Sequence, residues 1–184
     1  MVGALKSFQI PLEQYADDVR DIAGYCLERY GLEEWRAVVL TNEIHGHLGI
    51  YSTLGAKMGI FAAVESMDGS LESVVSFAGD TPPLSCFADG LQVGTGATLG
   101  HGMVSVSEDP LKRIEAHFAY RTQQGETRVL KVRLRESYAE KVRSDIAEAT
   151  RLYGRTAPYW AHIRSLAIRY WRDWDRHDIF EIIP

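Results

Sequence analysis

Residues 43–49 read Glu43-Ile44-His45-Gly46-His47-Leu48-Gly49 and open directly into an apolar segment that extends to Glu65. Small residues recur in this segment at helical spacing, namely Ser52, Gly55, Ala56, Gly59 and Ala63. Because glycine in a helix costs about 1 kcal/mol relative to alanine, a repeated glycine stripe indicates that another backbone approaches closely. We predict a buried helix from Leu48 to Glu65, packed on the sheet of the same molecule or on the equivalent helix of a second subunit.

The two histidines of this stretch are separated by one glycine. In a strand or an extended loop, residues two apart point to the same side, so His45 and His47 could reach one ion. Gly46 has no side chain that would crowd the two rings. Loops positioned by rigid elements often hold binding sites. The alternative is that both histidines are polar side chains of a surface loop.

A second segment lies some forty residues later and begins Cys86-Phe87-Ala88-Asp89-Gly90. If Ser85 caps a short helix from Cys86 to about Val93, free N–H groups and the helix dipole would stabilise a thiolate at Cys86. Asp89 would lie one turn further on, on the same side. Two imidazoles and one thiolate suit zinc and leave a fourth position open. We predict that zinc or another divalent transition metal is bound by His45, His47 and Cys86. The alternative is that Cys86 is only a small buried residue.

A glycine-rich loop follows this segment. It is not a dinucleotide fingerprint, because Leu99 replaces the third glycine and the loop follows a predicted helix. Its glycines are expected to turn the backbone beside the pocket, and its candidate cofactor-binding residues are Gly94, Thr95, Gly96, Thr98 and Gly100. His101 could be a further ligand, a proton shuttle or a mobile surface histidine.

Periodicity predicts an α+β fold. Helical spacing covers three further stretches, Pro11–Gly31, Tyr138–Tyr153 and Pro158–Trp174. Residues 33–41 fit either a helix or a strand. Strands are predicted at 71–77 and 103–106, and a hairpin at 114–121 and 130–135. Alternation in the hairpin places Glu115 and His117 on a solvated face.

The C-terminal part is aromatic, with three of the four tryptophans between Trp160 and Trp174. Such a helix usually packs over a core or an oligomer interface, although it could also stack on a nucleic acid or a cofactor. The apolar ending, residues 179–184, is expected to dock on its own or a neighbouring subunit. We predict one domain over residues 1–184, with a helical extension over 155–184 packed on the core or on a dimer interface.

Composition limits the partners and the location of the protein. A formal net charge of −5 argues against a nucleic-acid partner. No apolar run approaches the roughly 20 residues that span a bilayer, and residues 1–10 lack the features of a signal peptide. A cytoplasmic protein without membrane contact is expected. Two cysteines, Cys26 and Cys86, provide no disulfide framework.

Together, the two segments resemble the FmdE family of formylmethanofuran dehydrogenase proteins (FmdE-like proteins). Members carry His-Gly-His-x-Cys-Pro-Gly at the start of a glycine-containing helix. They then carry Cys-x-x-Asp-x-x-Gln and Thr-Gly-Cys-Thr-x-Gly-Lys-Gly. The corresponding residues here are His45-Gly46-His47-Leu48-Gly49-Ile50-Tyr51, Cys86-Phe87-Ala88-Asp89-Gly90-Leu91-Gln92 and Thr95-Gly96-Ala97-Thr98-Leu99-Gly100-His101-Gly102. The resemblance covers Asn42 to Tyr120.

The resemblance implies a mixed sheet flanked by helices, sometimes described as thioredoxin-like, and a metal, often zinc, in the active site. It also implies an association with a molybdenum or tungsten enzyme. The chain departs from the family pattern where Gly49 and Ile50 replace Cys-Pro and Ala97 replaces a cysteine. The loss of these thiols argues against dithiol redox chemistry, and His101 in place of lysine could compensate at the site. No paired cysteines follow Cys86, so the C-terminal zinc finger of many members is not expected here.

The leading hypothesis is a homodimeric FmdE-like protein with an open His/Cys metal site. It would bind or act on a small molecule, or serve as accessory to a metal-cofactor system. One alternative is a hydrolase or lyase in which Asp89 or His101 moves protons for metal-activated water. A second alternative is a non-catalytic subunit that holds an organic cofactor, and a third is a redox protein with Cys86 as its single reactive thiol. These hypotheses leave open whether the protein is an enzyme.

Overall fold

A five-stranded mixed sheet and a set of helices form the computed structural model, which describes residues 10–65 and 69–184. The helices are α1 (Asp17–His45), α2 (Ile50–Glu65), α3 (Phe87–Thr95), α4 (Glu136–Tyr153), α5 (Ala157–Asp173) and α6 (Arg176–Ile179). The strands are β1 (Gly69–Ser76), β2 (Val104–Val106), β3 (Glu115–Thr122), β4 (Thr127–Leu134) and β5 (Phe180–Ile183). The predicted α+β class with a mixed sheet is confirmed. The signal-peptide assessment concerns residues that lie, apart from Ile10, outside the described part.

The sheet order is β2-β1-β3-β4-β5. Strands β1 and β2 are parallel, and the other neighbouring pairs are antiparallel. One face of the sheet contributes to the core through Val74, Ala116, Phe118, Val132 and Leu134. On the other face, Glu115 is not solvated as expected, because it is only 2 % exposed. Arg113 and His117 both bond to its carboxylate, which explains how the charge is tolerated there.

Helix α1 is interrupted at Gly31, which adopts φ +83° and ψ 167°. The predicted end of the first helix is therefore correct, and residues 33–41, which fitted either type of element, continue as helix. The apolar stripe of the first half is buried and includes Cys26. Burial raises the pKa of Cys26 to about 12, so this thiol is inert at neutral pH.

The glycine stripe of α2 packs on α3, which is neither of the two partners expected from the sequence. A Cβ on Gly55 would lie 2.1 Å from the carbonyl oxygen of Phe87, and one on Gly90 would lie 2.1 Å from that of Ser52. The prediction of a close backbone approach was right, but its partner is a second glycine-bearing helix of the same chain. The stripe therefore no longer supports a dimer, and the homodimer stays a prediction.

The C-terminal residues dock on their own sheet, since β5 pairs antiparallel with β4. In α5, Trp171 stacks on Trp35 of α1 at 4.4 Å between ring centroids, so the aromatic helix packs on the core. Trp160, at the start of α5, remains 52 % exposed. Among the described residues, no helix is both long and apolar enough to cross a bilayer.

Candidate functional site

The loop between α1 and α2 places the two histidines side by side. His45 is the last residue of α1, and Gly46 ends the helix in the left-handed conformation with φ +79°. The ring centroids of His45 and His47 are 4.4 Å apart. The rings are thus neighbours because of a helix end followed by a left-handed glycine, and not because of the extended backbone assumed from the sequence.

Asn42 holds this loop in place from inside the last turn of α1. Its Oδ1 accepts hydrogen bonds from the Gly49 backbone N–H at 2.9 Å and from the Ser52 hydroxyl at 2.8 Å. Its Nδ2 donates to the carbonyl oxygen of Val38 at 2.8 Å. Because Asn42 is buried, its amide fixes the start of α2 relative to the end of α1.

Asp89 orients the ring of His45. The distance between His45 Nδ1 and Asp89 Oδ2 is 2.8 Å. An ionised carboxylate can only accept, so Nδ1 carries the proton and Nε2 keeps its lone pair. His45 Nε2 is buried and has no hydrogen-bond partner in the described part of the chain. Histidines that bind metals show this arrangement, with the second nitrogen held by a carboxylate.

A cavity of about 140 Å³ lies beside these residues. His45, His47 and Cys86 all line it, so the structure brings the three predicted ligands to one space. Its other lining residues include Tyr51, Arg155, Tyr159 and Trp160, which the sequence had not singled out for this site. Only the aromatic character of residues 159–160 could have indicated them.

The electrostatics differ from the expectation at Cys86. Ser85 does not cap the helix; Leu84–Cys86 is a 3-10 turn that continues into α3, with no side-chain hydrogen bond at the cap. Burial and the nearby Asp89 raise the pKa of the Cys86 thiol, so a stabilised thiolate is not present. Burial and the neighbouring His45 lower the pKa of His47, which is therefore neutral near pH 7.

A family comparison agrees with this site. The family model described as FmdE, molybdenum formylmethanofuran dehydrogenase operon, matches residues 44–181. The chain belongs to the FmdE family. The match begins immediately before His45 and ends in β5, so it includes both site segments and the aromatic helix α5. Comparison with the curated proteins gives no match.

Relative to the FmdE motif, this chain lacks a side chain at Gly49. A Cβ at Gly49 would lie 3.5 Å from His45 Nε2, so a cysteine there would reach the unpartnered nitrogen. Consistent with this loss, the described residues contain no group of three His, Cys, Asp or Glu side chains that could hold an ion. What fits a metal is the pair of adjacent imidazoles, with Cys86 on the wall of the same cavity.

The other FmdE motif residues lie away from this cavity. Gly94 and Thr95 belong to α3, and a Cβ on Gly94 would lie 2.6 Å from the carbonyl oxygen of Ala56, so Gly94 serves helix packing. Gly96 ends α3 with φ +75°. Thr98 caps the short turn that ends at His101, followed by Gly102. Gly100 lies in that same exposed turn.

His101 is not brought to the histidine pair. It is exposed and follows α3, whereas Asp89 lies in the first turn of that helix. A helix rises 1.5 Å per residue, so the nine residues of α3 separate its ends by about 13 Å. His101 and the loop before it therefore belong to the opposite end of α3.

Proposed function

We propose that this FmdE-family protein holds one divalent transition metal, such as zinc, beside its small cavity. There it would bind a small molecule as an accessory to a formylmethanofuran dehydrogenase-like system. His45 and His47 would hold the ion, with Cys86 as the third ligand. The observation that carries this proposal is the buried, unpartnered Nε2 of His45, whose Nδ1 is held by Asp89.

The free energy of the unpartnered nitrogen supports a bound species. A buried acceptor without a partner costs about 1–3 kcal/mol. A metal on His45 and His47 would remove that cost and would deprotonate Cys86 on binding, since only the thiolate is a ligand. When bound, such an ion supplies an electrophilic centre that polarises a carbonyl or acidifies water.

The contacts favour a binding role over the hydrolase or lyase alternative. That alternative assigned proton transfer to Asp89 or His101. Asp89 already accepts the hydrogen bond from His45, and His101 lies at the far end of α3. The glycines assigned to an organic cofactor do not line this cavity, which also weakens the cofactor-binding alternative.

Metal content and affinity test the proposal. Purified protein is analysed by mass spectrometry of metals, and zinc affinity is measured by competition with a chromophoric chelator. We expect about one zinc per chain, with His45→Ala and His47→Ala each losing at least about tenfold in affinity. Asp89→Asn should lose about 10–100-fold, the usual effect of losing the carboxylate that orients a metal-binding histidine.

His101→Ala is the matched control, because this exposed histidine lies away from the cavity. It should bind zinc as the wild type does. Circular dichroism of each variant verifies folding. Equal and negligible metal in the wild type, His45→Ala and Cys86→Ala would show that the proposal is wrong.

A further inference from the structure

We propose that the cavity beside His45 and His47 receives a small monocarboxylate, whose negative charge is bound by Arg155 at the rim. This inference deepens the proposed function by naming the class of ligand, and it rests on that proposal for the role of the site. The recognition of the charge uses this chain's own side chains, so it can be measured with and without zinc.

The charge of the cavity lining favours an anion. Arg155 is the cationic residue of the lining, and no aspartate or glutamate is present among the described residues that line the cavity. Asp89 belongs to the layer behind His45 and is bonded to its ring. Low-dielectric walls around one sign of charge strengthen the attraction for the opposite sign. A divalent cation on the histidines would increase this attraction.

Arg155 differs from its neighbours in having no acidic partner in the described part of the chain. Arg143, on the preceding helix, pairs with Glu136, and Arg164, on the following helix, pairs with Asp18. Arg155 follows Gly154, which ends α4 with φ +58°, so the turn between α4 and α5 carries it to the cavity rim. A planar guanidinium with free N–H groups binds a carboxylate through two parallel hydrogen bonds.

Two buried hydroxyls provide further donors. Tyr51 and Tyr159 both line the cavity, and each is only 8 % exposed. Within residues 10–65 and 69–184, neither hydroxyl makes a hydrogen bond to protein, although buried tyrosines usually find a partner. Burial raises the pKa of Tyr51 to about 12, so its hydroxyl keeps the proton that it would donate. A carboxylate has about four acceptor positions and can use both hydroxyls as well as Arg155.

The size and the walls of the cavity define the rest of the ligand. The apolar lining residues are Ile50, Pro82, Pro83, Ile146, Trp160 and Ile163. A dry cavity of roughly 150 Å³ accepts a benzene ring, and this cavity has about 140 Å³. The ligand is therefore a compact apolar body with one charge. A phosphate dianion would place a second charge against these walls without enough donors.

Binding of matched acids and amides tests the inference. Propionate and benzoate are titrated against propionamide and benzamide by ligand-observed NMR, with zinc-free and zinc-loaded protein. We expect each acid to bind at least about tenfold tighter than its amide, which corresponds to one charged hydrogen-bonding interaction of about 1.4 kcal/mol. Arg155→Gln should abolish this preference in zinc-free protein, Arg155→Lys should retain part of it, and Tyr159→Phe should weaken acid binding several-fold.

Arg151→Gln is the control, since Arg151 is an exposed arginine at the end of α4 that does not line the cavity. Equal affinity for acid and amide, or equal effects of Arg155→Gln and Arg151→Gln, would overturn the inference. Tighter binding of inorganic phosphate than of benzoate would overturn the carboxylate assignment. Arg155-dependent acid binding in a protein that binds no zinc would support the inference and contradict the metal proposal. Zinc binding without a preference for acids would do the reverse.

Discussion

His45 shows how a single carboxylate can turn a surface-loop histidine into a metal-ready ligand. Asp89 fixes the tautomer and the ring orientation, so the buried Nε2 presents a lone pair. From the sequence, Asp89 was a candidate proton carrier at the site. Its contact instead assigns it a positioning role, because the carboxylate acts on the ring and the ring faces the cavity.

The side chain missing at Gly49 provides a residue-scale prediction. Gly49→Cys would place a thiol near His45 Nε2, because a Cβ at this position lies 3.5 Å from that nitrogen. We expect zinc affinity to rise at least about tenfold when a thiolate completes the ligand set. The same Cβ would lie 2.8 Å from the Ser52 hydroxyl, so the substitution is also made together with Ser52→Ala. Chelator competition measures the affinity.

Gly49→Ser is the control for this change, because it adds a similar side chain without a thiolate. The expected order of zinc affinity is Gly49→Cys first, then wild type and Gly49→Ser. If Gly49→Cys and Gly49→Ser bind zinc equally in folded protein, a metal does not occupy the space beside His45 Nε2.

At the scale of elements, the packing of α2 on α3 explains how two motifs some forty residues apart meet. Gly55 faces Gly90 and Gly59 faces Gly94, so the two helices are parallel. Their first turns therefore lie at the same end, which brings the His45–His47 loop and Cys86 to one cavity. The glycine spacing in α2 predicted a close approach. The partner was missed because Gly94 was assigned to a loop, while it belongs to α3.

The helix contact gives a prediction about stability. Gly90→Ala would place a Cβ 2.1 Å from the carbonyl oxygen of Ser52 and 2.3 Å from the backbone nitrogen of Ala56. Backbone atoms cannot move aside as a flexible side chain can, so we expect the free energy of unfolding to fall by about 3 kcal/mol or more. Urea denaturation measures the change.

Gly24→Ala is the matched control, because a Cβ at this α1 position meets nothing within 4 Å. Alanine has the better helix propensity, so this variant should be more stable than the wild type by up to about 1 kcal/mol. Similar losses in the two variants would contradict the close contact between α2 and α3.

At the scale of the whole molecule, sequence patterns predicted the element types well and the long-range polar contacts poorly. The hairpin, the helices and the buried face of the sheet follow from local periodicity. Lys57 and Glu34, both 0 % exposed, form an ion pair of 2.6 Å inside the core, and Arg176 bonds to the same carboxylate at 2.8 Å. No local pattern shows that a lysine within an apolar helix has partners on α1 and α6.

Asp145 is a second buried charge of this kind, and it joins α4 to α5. Lys141 bonds to its carboxylate at 2.6 and 2.7 Å, and the Tyr170 hydroxyl donates to it as well. Burial alone would raise the pKa of Asp145, but the bonds from Lys141 and Tyr170 outweigh it and hold the pKa below its ordinary value of 3.8.

Because the pKa is lower in the folded state than in the unfolded state, this carboxylate stabilises the fold most above the unfolded value of about 3.9. Its contribution is lost as the pH falls through the lower, folded value. We expect Asp145→Asn to reduce the free energy of unfolding at pH 7 by about 1–3 kcal/mol. The difference from the wild type should shrink steadily below about pH 4. Urea unfolding at pH 7, 5, 4 and 3 measures it. Asp17→Asn, at a side chain 86 % exposed, should change stability by less than about 1 kcal/mol. An unchanged difference between Asp145→Asn and wild type down to pH 3 would show that the charge of Asp145 does not join the two helices.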